Sequence, residues 1–195
     1  MKVFILSIAD EQGIRLTHFH GLITAQECAA LIDLARPAEQ DALVSPDGVL
    51  VKEDSRRNTM SWIDQRHPLV DSLNKRIAAI TGIPLENQEP LQVLHYLPGQ
   101  EYKPHYDAFP DGHKDLARGG NRQATVILYL NEVEDGGSTS FQNLDAKIMP
   151  HIGSGAFFRS LGKDGKILRN SLHSGDPVIK GEKWIATKWI RQGTY

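Results

Sequence analysis

Between Leu91 and Ile190 the apolar residues recur at every second position in short runs, and turn-forming residues close each run. The runs fall at 91–97, 102–108, 124–130, 146–149, 156–159, 166–169 and 183–190. Pro98-Gly99, Asp135-Gly136-Gly137, Gly153-Ser154-Gly155 and Asp164-Gly165 supply the turns. A helix would need apolar spacings of three and four, so this half of the chain reads as strands. Many short strands can bury one face each only by closing on themselves or stacking as two sheets. About eight strands with helices packed outside predict a mainly β fold with flanking α-helices, its core a double-stranded β-helix, the jelly roll of the cupins.

The first half carries a different period. Residues 24–36 open with a capping box, Thr24 with Glu27 three residues on, and place Cys28, Leu31, Ile32 and Ala35 at helical spacing before Pro37. A second helix is predicted from Pro68 through Leu69, Leu73, Ile77 and Ile80 to a stop at Gly82. Residues 3–8 read as a strand, and 38–58 as a long polar loop of the kind that is functional or mobile in compact domains. At 195 residues the chain has the length of one domain that buries a core without disulfides. The expectation is a single domain over 1–195, with helical support over about 1–88 and the jelly-roll core over about 89–195.

The 22 Lys and Arg are scattered and nearly balance the 24 Asp and Glu, for a net charge of -2, which offers nucleic acid no binding face. Cys28 is the only cysteine, so no internal disulfide is possible, and a reducing, cytoplasmic setting is expected. The opening MKVFILSIA is too short for a signal peptide, and no stretch reaches the roughly 18 apolar residues of a membrane span, so no membrane partner is expected. The oligomeric state stays open between monomer and homodimer.

His105 and Asp107 stand two apart in PHYDAF, so on an extended segment both side chains leave by the same face. An imidazole and a carboxylate placed so make part of a transition-metal site, and His173 in LRNSLHSGDPV is the candidate third ligand from a distant strand. Three protein ligands on one face of ferrous iron leave room for a chelating keto acid and O2, which a closed four-ligand site does not. A His-x-Asp pair alone carries little weight, because both residues are common in loops. His18, His20, His67, His113 and His151 have no partner at such spacing and read as surface or turn residues, while His95 reads either as core or as support to the site.

Lys183 opens KWIATKWI ten residues after His173, and there Lys183, Ile185, Thr187 and Trp189 share one face. A lysine heading an otherwise apolar face needs an anion, and the far carboxylate of 2-oxoglutarate would supply it. A lysine reaching from a strand end to solvent is the plainer alternative, and the spacing to His173 favours the first reading.

LQVLHYLPGQEYKPHYDAF, NRQATVILYLNEVEDGGSTSF and HSGDPVIKGEKWIATKWI, with SRRNTMSWI more loosely, resemble segments of the prolyl 4-hydroxylase branch of the iron(II)- and 2-oxoglutarate-dependent oxygenases. The resemblance implies Fe(II) held by His105, Asp107 and His173, and 2-oxoglutarate held by Lys183 with help from Thr139 and Tyr96. It implies that Tyr102 and Trp189 flank a proline ring of a protein or peptide substrate and that Arg122 reaches the peptide or the reacting centre. O2 would be the second cosubstrate and ascorbate a candidate reductant, with a C–H bond hydroxylated and succinate and CO2 released. Arg191 departs from the pattern, since in some members a histidine stands there, and this bears on peptide recognition. Residues 110–121, containing DGHKD and Gly119-Gly120, read as a candidate lid.

Ile127, Phe157 and Ile185 are candidate walls of a dry pocket or plain core, and Trp189 is equally a core aromatic. Two other functions fit the same residues. One is a hydroxylase of a free amino acid or other small molecule, with residues 38–58 and 110–121 setting the choice. The other is a cupin-like module that binds metal without turnover, against which the complete set of His105, Asp107, His173 and Lys183 counts. Such sites take other divalent ions too, so the metal in the purified protein need not be iron.

Overall fold

The computed structural model describes residues 4–10, 13–43, 51 and 53–195. In chain order the elements are β1 (Phe4–Asp10), β2 (Gly13–His20), α1 (Ala25–Ala35), β3 (Gln40–Asp41), β4 (Thr59–Trp62), α2 (Pro68–Thr81), β5 (Gln92–Tyr96) and β6 (Tyr102–His105). There follow β7 (Arg122–Tyr129), β8 (Asp135–Gly136), β9 (Thr139–Phe141), β10 (Ala146–Ile148), β11 (Ser154–Arg159), β12 (His173–Gly175), β13 (Val178–Lys180) and β14 (Lys183–Arg191). The strands build an eight-stranded sheet in the order β1-β2-β11-β7-β14-β5-β4-β3 and a four-stranded sheet in the order β10-β9-β12-β6. Every pairing in both sheets is antiparallel, as the short runs and tight turns require. The result is the jelly roll that the alternating pattern predicts.

Two apolar layers follow from strand alternation. Leu94, Ile127, Tyr129 and Ile185 of the large sheet meet Phe141 and Ile148 of the small one between the sheets. On the outer face of the large sheet, Val93, Val126, Leu128, Trp184 and Ala186 pack against Leu31 of α1 and Leu73 and Ile77 of α2. The helices therefore cover the outside of the sheet and leave its inner face to the site.

Both helices start and stop where their caps dictate. The Thr24 hydroxyl accepts from the Glu27 amide at 3.2 Å, and the Glu27 carboxylate accepts from the Thr24 amide at 2.9 Å. Pro68 begins α2, and Gly82 ends it at φ 68, a left-handed conformation that suits glycine. The buried face of α2 is Val70, Leu73, Asn74 and Ile77, and Ile80 is exposed, contrary to the predicted face. At 3.6 residues per turn Ile80 points about 70° away from the centre of that face.

Four strands, β1 to β4, come from the first half of the chain, three more than the sequence pattern shows. Residue 3 of the predicted first strand, and residues 44–50 and 52 of the predicted long loop, lie outside the described residues. The predicted strand at 166–169 is a turn with a single bridge between Leu161 and Ile167: the Gly162 amide donates to the Lys166 carbonyl at 2.8 Å, and the Leu168 amide to the Ser160 carbonyl at 2.9 Å. Phe157 is no pocket wall either. Ala156 and Phe158 take the face between the sheets, so Phe157 falls on the other. Among the described residues no helix is long and apolar enough to cross a membrane.

Candidate active site

Antiparallel register brings the two histidines together. His173, first residue of β12, lies directly opposite His105, last residue of β6, and Asp107 follows two residues on in a bend rather than in the strand. One nitrogen from each imidazole and one Asp107 oxygen lie within 4.8 Å of one another, the only such three-residue cluster among the described residues. His105 Nε2 is 3.7 Å from Asp107 Oδ1, and His173 Nε2 is 3.8 Å from Oδ2. The other ring nitrogens have partners: Nδ1 of His105 contacts the Lys103 carbonyl at 2.8 Å, and Nδ1 of His173 the Ser171 carbonyl at 2.9 Å. A carbonyl can only accept, so each Nδ1 carries the hydrogen and each Nε2 presents a bare lone pair toward the carboxylate.

Charge states agree with that donor set. Burial, together with the neighbouring His173, pulls the His105 imidazole down to about 3, which keeps it neutral. Burial opposes the Asp107 charge, yet His173, His105, Arg122 and the Thr125 hydroxyl hold its carboxyl below the usual range. The Thr125 hydroxyl donates to Asp107 Oδ2 at 2.6 Å and fixes the carboxylate's rotation. A neutral imidazole at His105 and a charged carboxylate at Asp107 are protonation states that a divalent ion requires of its ligands. These residues fit ferrous iron.

Deeper in the same cavity lies Lys183, 1% exposed. Its register partner is Tyr96, whose ring centroid is 5.3 Å from Nζ, and Thr139, Ile127 and Ile185 complete the surround. Nζ has one weak acceptor, the Ser138 carbonyl at 3.5 Å. Burial lowers the ammonium to about 8, with distant Asp176 opposing. Lys188, on the opposite face of the same strand, shows what a structural buried lysine looks like: its Nζ donates to the Gln65 side chain at 3.0 Å and the Glu89 carbonyl at 2.8 Å. A buried ammonium without a matching anion is costly and fits a carboxylate ligand such as the far end of 2-oxoglutarate. The Tyr129 hydroxyl donates to Thr139 Oγ1 or accepts from it at 2.8 Å, so Thr139 is held in place from behind.

The metal cluster opens on a cleft of about 800 Å³ lined by Tyr102, Trp189, Trp62, Arg122, Phe109 and the 110–121 segment, among others. Tyr102 stacks on His105 with ring centroids 3.5 Å apart, and the Arg56 guanidinium lies 5.0 Å from the same ring centroid. The Arg122 guanidinium lies 3.7 Å from the Trp189 ring centroid and is gripped by both Glu89 oxygens, at 2.7 and 2.9 Å. Glu89 also accepts from Arg191 Nε at 2.5 Å. All three of Arg122, Tyr102 and Trp189 thus border the open side of the metal cluster, where a substrate would lie.

The chain matches the family model of the 2OG-Fe(II) oxygenase superfamily over residues 91–191. Among curated proteins it is 37% identical over 203 residues to probable prolyl 4-hydroxylase 10 of Arabidopsis thaliana, covering 93% of this chain and 70% of that one. Prolyl 4-hydroxylase 1 of the same plant is 38% identical over 196 residues, covering 91% and 69%. This chain belongs to the prolyl 4-hydroxylase branch of the 2OG-Fe(II) oxygenases. Among solved structures, the viral collagen prolyl hydroxylase of Paramecium Bursaria Chlorella virus-1 in complex with 2OG superposes with a TM-score of 0.73 at 30% identity, covering 91% of this chain and 96% of that one. The oxygenase therefore works with Fe(II), 2-oxoglutarate and O2, and the His105, Asp107 and His173 cluster is present to receive the metal.

In this oxygenase the nine residues singled out from sequence come together in two adjoining cavities, and of the remaining histidines only His113 lines either of them, at the edge formed by the 110–121 segment. His67 caps the start of α2 and His113 caps a short 3-10 turn, each by accepting from a backbone amide, at 3.3 and 3.2 Å. His95 stacks on Trp184 on the outer face, its two nitrogens 3.0 Å from Glu39 and 2.9 Å from Glu182. Sequence reasoning missed Thr125, Tyr129, Glu89 and Arg56. Alternation alone could have found the first two, since Thr125 and Tyr129 share the face of Ile127, whereas Glu89 and Arg56 lie in irregular segments.

The candidate lid is already tied down. The Asn121 side chain pairs with both backbone groups of Phe109, each at 2.8 Å, and closes the neck of the 110–121 loop. Arg191 Nη1 donates to the Asp115 and Gly120 carbonyls at 2.9 and 2.7 Å, and the Gly193 amide to the Gly119 carbonyl at 2.8 Å. Arg191 therefore bridges Glu89 to the loop. Arg191→Ala is expected to raise amide hydrogen exchange across 113–121 by roughly 10- to 100-fold without substrate present, from the loss of bonds worth about 1.5–3 kcal/mol each. Unchanged exchange in this variant would show that the loop is held by other contacts.

Proposed function

We propose that the chain hydroxylates peptidyl proline, most directly at the 4 position of the ring. The observation that carries this reading is the cleft of about 800 Å³ that leads to the metal cluster. It lies toward the upper end of the roughly 300–1,000 Å³ range of sites that enclose drug-sized ligands, and a free amino acid would fill a small part of it. Its aromatic sides, Tyr102 and Trp189, suit a flat apolar ring held between them.

His105, Asp107 and His173 hold Fe(II), and Lys183 binds the far carboxylate of 2-oxoglutarate with Tyr96 and Thr139 at its side. Iron with 2-oxoglutarate and O2 supplies the oxidising chemistry, in which decarboxylation to succinate and CO2 accompanies transfer of one oxygen atom to a C–H bond. The chain's own contribution is placement and shielding. Thr125 sets the Asp107 carboxylate, Tyr102 covers His105 on the substrate side, and Ile127 and Ile185 keep the cosubstrate pocket dry. Arg122, fixed by Glu89 against Trp189, reaches the Asp107 carbonyl with Nη1 at 3.5 Å and so stands beside both the metal cluster and the peptide cleft. Ascorbate serves as reductant, and the reducing cytoplasm, consistent with one buried free cysteine, is the place of action.

Incubation of the iron-loaded enzyme with 2-oxoglutarate, O2 and either proline-rich peptides or free amino acids tests the reading by mass spectrometry. A gain of one oxygen on peptidyl proline is the expected result. Turnover of free amino acids alone would replace it with the small-molecule reading.

A further inference from the structure

Register divides the inner face of the large sheet into rows. Lys183 faces Tyr96 in the deepest row; Ile185, Leu94 and Met60 form the next. One step further out, Thr187 faces Gln92 and Gln92 faces Trp62. Trp62 thus stands two rows from the cosubstrate lysine, about 13 Å along the strand direction. Trp189 continues the same face of β14 beyond Thr187.

Trp62 shares its strand face with buried Met60, yet it is 44% exposed. The packing of β4 against the helical layer is done by the opposite face, where the Ser61 hydroxyl donates to the Ala35 carbonyl at 2.8 Å. The Trp62 ring lines the same cleft as Tyr102 and Arg122, and its centroid lies 6.2 Å from that of Trp189 with the planes at 54°. An exposed indole continuing an aromatic wall at the rim is a recognition surface rather than a core element.

We infer that Trp62 is a specificity-determining residue of the cleft, the platform for a peptide residue that flanks the hydroxylated one. The inference deepens the peptidyl reading and rests on it. An extended polyproline chain advances 3.1 Å per residue and repeats its facing every third residue, so two rings about 6 Å apart span the target residue and a near neighbour on such a chain. A ring such as proline, with no backbone amide to satisfy, is the side chain that an indole at the rim takes best. The enzyme is therefore expected to prefer a proline-rich stretch that reaches past the target residue to one that ends at it.

The test compares iron-loaded wild type, Trp62→Ala and Trp62→Phe on a ten-residue proline-rich peptide and on a tripeptide centred on the target proline. Wild type is expected to show a higher kcat/KM on the long peptide. Trp62→Ala should lower the long-to-short ratio about tenfold through KM, and Trp62→Phe should restore most of it. Calorimetric affinity for the long peptide should fall in parallel, which a merely structural tryptophan would not produce with an unchanged melting temperature. A ratio unchanged in Trp62→Ala, with peptides turned over normally by wild type, overturns the role of Trp62 and leaves the peptidyl reading standing. A wild type that turns over free amino acids and no peptide removes that reading and this role with it.

Discussion

His173→Ala is expected to abolish turnover and to weaken Fe(II) binding by more than a hundredfold. The bound is set by comparison: removing a group that only orients a ligand costs about 10- to 100-fold in metal affinity, and removing the ligand itself costs more. With the imidazole gone, Asp107 and His105 remain as two donors, too few for a facial site. His173 also packs between Phe141 and Phe158, at 5.7 and 4.7 Å between ring centroids, so its truncation leaves a gap in the core. Thr125→Val separates the two effects. It keeps the side-chain shape and deletes only the hydroxyl that bonds Asp107 at 2.6 Å, and its expected loss of affinity lies in the 10- to 100-fold range. Metal content after dialysis against a competing chelator, measured beside thermal unfolding, checks both variants. Retained iron in His173→Ala would move the metal site elsewhere.

Lys183→Met is expected to destroy 2-oxoglutarate binding while leaving the metal in place and making the cosubstrate-free protein more stable. The sign follows from burial. The folded protein holds this ammonium at about 8 against an ordinary 10.5, so the charged form is disfavoured by folding. That cost, on the order of 3 kcal/mol, is fully present below pH 8 and fades as pH rises toward 10.5. Methionine removes it and preserves most of the volume. The same displacement makes cosubstrate affinity fall as pH rises through about 8, where the lysine loses its proton. Removing one partner of a buried charge pair costs about 3–5 kcal/mol, so the KM for 2-oxoglutarate should rise by at least a hundredfold. A structural lysine would behave in the opposite way, losing stability and keeping KM. Calorimetric titration with 2-oxoglutarate and thermal unfolding across pH 6–10 would distinguish the two.

Much of the site was legible because its spacing is local. His105 and Asp107 sit two apart, Lys183 heads an alternating strand, and the caps of α1 and α2 are written in Thr24, Glu27, Pro68 and Gly82. The parts that were not legible depend on long-range pairing. The strand that carries His173 is three residues long and has no period of its own; it exists because β6 and β9 flank it. β2 and β4 likewise owe their place to neighbours in the large sheet. Phe157 and Phe158 are adjacent, and only the register of β11 against β7 decides which one faces the cavity. Glu89 lies outside any strand, yet it joins Arg122 to Arg191 across the fold. No spacing rule in one sequence connects those three positions.

Iron and 2-oxoglutarate would share one cavity, with the metal on His105, Asp107 and His173 and the far carboxylate on Lys183. Anaerobic titration of 2-oxoglutarate into the Fe(II)-loaded wild-type protein tests it most directly. The expected result is a weak visible charge-transfer band that saturates with one equivalent of cosubstrate, is absent in His173→Ala and needs far higher concentrations in Lys183→Met. A wild-type protein that binds Fe(II) and shows no such band at any concentration would contradict it.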